Sequence, residues 1–145
     1  MEPAVKQYMI ENDIKMTETD EVAEHINNLM SMYFARIQDG KIEEVQRIVV
    51  EIILSTEVLL EQYGFSYKSL VEQHEESIFN KVESSDENKQ SLLMYHYSGQ
   101  IATYHLNILS MSKDDFAYAV VSLNLFFKLI HVRIKELGDI SIQTK

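Results

Sequence analysis

Glu21 and Glu24, three residues apart in Glu21-Val22-Ala23-Glu24, are the first side chains in this chain whose spacing could do chemistry. On an α-helix turning roughly 100° per residue they lie about 60° apart, with Asn28 between them and His25 to one side. They can converge on one ion. A hard divalent cation such as magnesium takes carboxylate oxygens and keeps part of its water, so two acids on one helix and a third on a neighbour would suit it. The third candidate is Glu51, which interrupts the aliphatic run Ile48-Val49-Val50-Glu51-Ile52-Ile53-Leu54. A carboxylate among aliphatic side chains needs a cation, a hydrogen-bond donor or a proton, because a buried unpaired charge costs roughly several kcal/mol or more.

Each feature also has a plain structural reading. Acids near a helix start favour the helix dipole and solubility. Arg47 stands four residues before Glu51, and Glu44, Arg47, Glu51, Ser55 and Gln62 share one polar stripe, so a surface ion pair would account for Glu51 as well. The five histidines, at 25, 74, 96, 105 and 131, show no spacing that pairs them as metal ligands on one helical face. Tyr95, Tyr97 and Tyr104 could line a pocket, although aromatics spaced along a helix usually belong to a core. No glycine-rich phosphate loop, nucleophile elbow or His-Glu-x-x-His sequence is present. With no cysteine there is no disulfide, thiolate metal site or cysteine nucleophile.

The elements that must position these side chains are helices. One proline and four glycines in 145 residues leave little turn material for an all-β fold. The apolar spacing predicts a short helix near 3–12 and a longer one near 20–38, with Val22, Ile26, Leu29, Tyr33 and Ile37 as its stripe. Asp39-Gly40 should break the chain before a helix over 42–63, which Gly64 ends in the left-handed conformation. Ser66 can cap a helix to about 83, and the polar stretch 83–88 reads as a link to a helix over 88–111. Ser112 would cap the last helix, ending before Gly138 and apolar around nearly its whole circumference between Phe116 and Phe127. That helix should be central. The expected fold is an all-α compact bundle of five or six helices, one domain over 1–138 with a flexible tail at 139–145.

Thirteen basic against 23 acidic residues give a net charge of −10, which disfavours nonspecific binding to nucleic acid or to anionic membranes. The apolar stretch 116–127 is too short for a membrane span, and Met1-Glu2-Pro3 does not open a signal peptide. A cytoplasmic location is expected.

From Ile48-Val-Val-Glu51-Ile-Ile-Leu through Leu59-Leu60, Gly64-Phe65-Ser66, Leu70-Val71 and Lys81-Val82, the chain resembles the MazG-like all-α nucleotide pyrophosphohydrolases. The resemblance spans about residues 20–82. Members carry Glu-x-x-Glu on one helix and Glu-x-x-Asp on the next, and those acids hold the magnesium that engages a triphosphate. The resemblance implies that Glu21 and Glu24 are the first acidic pair, that Glu51 takes the place of the final Asp, and that Lys81 is a phosphate-binding base. The catalytic pattern departs from the family's: Ile48 stands for a Glu, His74 for the usual Lys and Ile78 for the usual Asn, and neither Glu44 nor Asn80 stands in register to replace them. The implied function is nucleotide handling with magnesium-dependent triphosphate hydrolysis weak or lost. The alternative is a non-catalytic acidic helical adaptor or inhibitor that binds another protein. A homodimer is expected because Val120, Leu123, Phe127, Ile130 and Ile134 form one apolar face of the last helix and Leu125, Leu129 and Val132 another.

Overall fold

The computed structural model describes residues 19–131, together with Gln7, Ile10 and Glu11. Five helices run in order: α1 (Thr19–Gln38), α2 (Ile42–Gln62), α3 (Tyr67–Glu83), α4 (Glu87–Leu106) and α5 (Lys113–His131). The described residues contain no strand. The expected helix near 3–12, the end of the last helix and the tail at 139–145 lie outside them, apart from Gln7, Ile10 and Glu11.

Turn chemistry explains where the helices stop. Gly40 and Gly64 take φ of 71° and 82°, a region that side chains with a Cβ adopt only under strain. Ser66 starts α3 by accepting from the Ser69 N–H at 3.2 Å, and Asp86 starts α4 by accepting from the Lys89 N–H at 2.8 Å. At α5 the Asp115 N–H donates to Ser112 Oγ at 3.0 Å.

Packing follows apolarity. α5 touches α2, α3 and α4, while α1 lies against α2 and α4. Every residue of α5 from Phe116 to Phe127 is buried except the half-buried Tyr118, so the all-round apolar helix is the centre of the bundle. Phe116, Phe126, Phe127, Leu59 and Leu60 form much of the core.

Three expectations need correction. Ile37 does not extend the buried stripe of α1: Val22, Ile26, Leu29 and Tyr33 are buried, but Ile37 is 45% exposed near the end of the helix. α4 stops at Leu106 and not at 111, because Asn107 turns left-handed with φ 54°. The link before α4 is shorter than 83–88, since Asp86 already caps the helix.

Candidate functional site

Glu21 and Glu24 are both exposed in the first turns of α1. Glu51 is half-buried on α2 and lines a cavity of about 220 Å³ with Met32, Arg36, Glu44, Arg47 and Ile48. α1 and α2 form a hairpin around Gly40, so residues face each other by their distance from that turn. Glu24 stands about one and a half helical turns, on the order of 7 Å, farther from it than Glu51 does. Met32 and Arg36, not the first acidic pair, share the cavity with Glu51. Among the described residues no group of three or more histidine, aspartate or glutamate side chains is arranged to hold a metal ion.

The charges of this cavity pair differently from the expected stripe. Glu44 Oε2 lies 3.4 Å from Arg36 Nε and 3.9 Å from Lys41 Nζ, an ion pair with both cations. Among the described residues Arg47 makes no ion pair with Glu51 within 4.0 Å. Ser55, which the same stripe would place toward water, is buried.

Lys81 lies near the end of α3 inside a cluster built from three helices. Its Nζ donates to the Tyr118 hydroxyl at 2.7 Å and to the Tyr97 hydroxyl at 3.4 Å, and stands 5.0 Å above the Tyr118 ring. The hydrogen bond to Tyr118 raises the Lys81 pKa above its ordinary value, against the opposing effect of burial. Burial alone would raise Tyr118, but the Lys81 hydrogen bond and charge, helped by Ser122 and Ser77, hold its phenol below the ordinary range. Tyr97 moves up because burial outweighs the same ammonium. His74 meets the Tyr118 ring edge-on at 4.9 Å, and burial lowers its pKa. Ile78, one turn before Val82 on the same helix, is fully buried core.

Two further polar networks join distant parts of the chain. Lys128 Nζ donates to the Tyr67 hydroxyl at 2.6 Å, and that hydroxyl donates to Asn124 Oδ1 at 2.7 Å. Asn124 Nδ2 then donates to Thr56 Oγ1 at 2.9 Å and to the Ile53 carbonyl at 3.0 Å. Tyr33 and His131 share a buried hydrogen bond of 2.8 Å beside a second cavity of about 250 Å³, whose walls include Phe34, Met94, Glu87 and Ile130. Burial, with a smaller contribution from the Glu87 charge, pushes Tyr33 up to about 12. These networks fix helices to one another; their partners are phenols, an amide and carbonyls already satisfied by hydrogen bonds. Asn124, a lone amide in an apolar run, was the one sequence signal for any of them.

The surface holds the feature that sequence spacing hid. Leu106, at the end of α4, and Ile108 and Leu109 in the loop after it, all assigned from spacing to a longer helix, stand 60%, 65% and 67% exposed. No family model matches the chain, and neither a curated protein nor a solved structure matches it. Among the described residues no helix is long and apolar enough to cross a membrane.

Proposed function

We propose that the protein is a non-catalytic acidic helical adaptor or inhibitor that binds another protein. The observation that carries this reading is the grouping of Leu106, Ile108 and Leu109, all largely exposed, within four consecutive residues. Single exposed aliphatic residues are ordinary, but grouped ones mark contact surfaces. The test compares the full chain with the triple variant L106S/I108S/L109S as baits under equal conditions. A protein retained in near-stoichiometric amount by the native chain and lost by the variant is the expected result; equal retention by both would count against this surface.

A second reading, a MazG-like protein that handles nucleotide with hydrolysis weak or lost, is favoured by one observation. Glu51 lines a cavity together with Arg36 and Arg47, a mixture of charges suited to a polar ligand. In that reading Glu51, with Glu21 and Glu24, contributes to magnesium binding, and Lys81 meets phosphate. Thermal scans with nucleoside triphosphates, with and without magnesium, separate the two readings. A melting point raised only by both together, and no longer raised in Glu24→Ala, would favour nucleotide handling. An unchanged melting point leaves protein binding in front.

A further inference from the structure

The loop joining α4 to α5 is anchored at both ends. At its start Asn107 is left-handed, and the Ile108 N–H returns to the Thr103 carbonyl at 3.3 Å. At its end Met111 packs partly buried against the core, and Ser112 caps α5. Between these anchors Ile108 and Leu109 stay largely exposed, while next to the loop Tyr104 stacks on Phe116 at 4.3 Å and Tyr63 packs on the same ring at 4.7 Å. Tethering at both ends of so short a loop limits the conformational entropy it has to lose on docking.

Its electrostatic setting is acidic. Asp114 and Asp115 follow at once and are exposed. The intervening Lys113 turns back, with its Nζ 5.2 Å above the Phe65 ring. Resting on the protein-binding reading above, we infer that this loop inserts into an apolar groove of a partner protein whose rim is basic. A second copy of this chain is the wrong occupant: each copy carries a net charge of −10, and the two surfaces would repel. Lysines or arginines on the rim would meet Asp114 and Asp115 while Ile108 and Leu109 lose water in the groove.

The test selects a phage-displayed random peptide library on the immobilised full chain and measures the selected peptides against three proteins. Expected peptides combine aliphatic residues with lysine or arginine and bind more weakly as salt rises. L106S/I108S/L109S should weaken them at least about 100-fold, taking roughly tenfold each for Ile108 and Leu109. D114N/D115N, which leaves the apolar tip intact, should weaken them several-fold and flatten the salt dependence. Neutral or acidic peptides, or equal binding to the triple variant, would overturn the inference while leaving protein binding at another surface. No binder to any of the three proteins would overturn the protein-binding reading itself. A dimer abolished by the triple variant would assign the loop to a second copy and also overturn the inference.

Discussion

Asn124 has no exposed surface, yet it sits in the most apolar helix of the chain. It is tolerated because its amide spends its hydrogen-bonding capacity on Tyr67, Thr56 and the Ile53 carbonyl, joining α5 to α2 and to the start of α3. Asn124→Leu keeps the branched outline with more bulk and strips these bonds, and should cost at least about 2 kcal/mol in chemical denaturation with an unchanged denaturant slope. Tyr33 makes a prediction in pH. Its folded pKa of about 12 lies above the ordinary 10, so the folded state holds the proton more tightly. The associated stability is complete below pH 10 and is lost as pH rises from 10 to 12, by up to about 3 kcal/mol. The difference in stability between the native chain and Tyr33→Phe should therefore shrink over that interval; a constant difference would show that the phenol titrates normally.

At the scale of elements, legibility depended on whether a signal was local. The centre of α5 could be read because an apolar circumference leaves a helix no place but the core, and Ser66, Ser112 and Gly64 mark ends through chemistry within a few residues. The end of α4 could not. Leu106, Leu109 and Met111 continue a spacing compatible with a helix, and only the left-handed backbone of Asn107 breaks it. The three acids were legible one helix at a time, but the offset of Glu24 from Glu51 across the hairpin belongs to neither helix alone. The polar stripe on α2 likewise gave no sign that the cation paired with Glu44 would come from α1, in Arg36. Three substitutions probe the turns. Asn107→Val should destabilise by about 1–2 kcal/mol, whereas Asn107→Gly should be neutral or slightly stabilising. Gly64→Ala should cost about 1 kcal/mol through backbone strain alone, since a Cβ there meets nothing within 4 Å. Thermal or denaturant unfolding reads all three.

For the whole molecule, the second apolar face of the central helix was the reason to expect a homodimer. Within α5 that reason weakens, because Leu125 is buried and Leu129 partly buried inside their own chain; Val132, the third member, lies outside the described residues. What remains for association is the α4–α5 loop and the charge. A net charge of −10 opposes self-association most strongly at low salt, where the Debye length is about 30 Å at 0.01 M against about 8 Å at 0.15 M. A contact between copies driven by the apolar loop would therefore strengthen as salt rises, whereas docking onto a basic partner would weaken. Sedimentation at micromolar concentration across this salt range should give a monomeric mass throughout, unchanged in L106S/I108S/L109S. A dimer that grows with salt and disappears in that variant would mean that screening alone had kept two loops apart, and that the surface is built for a second copy of the same chain.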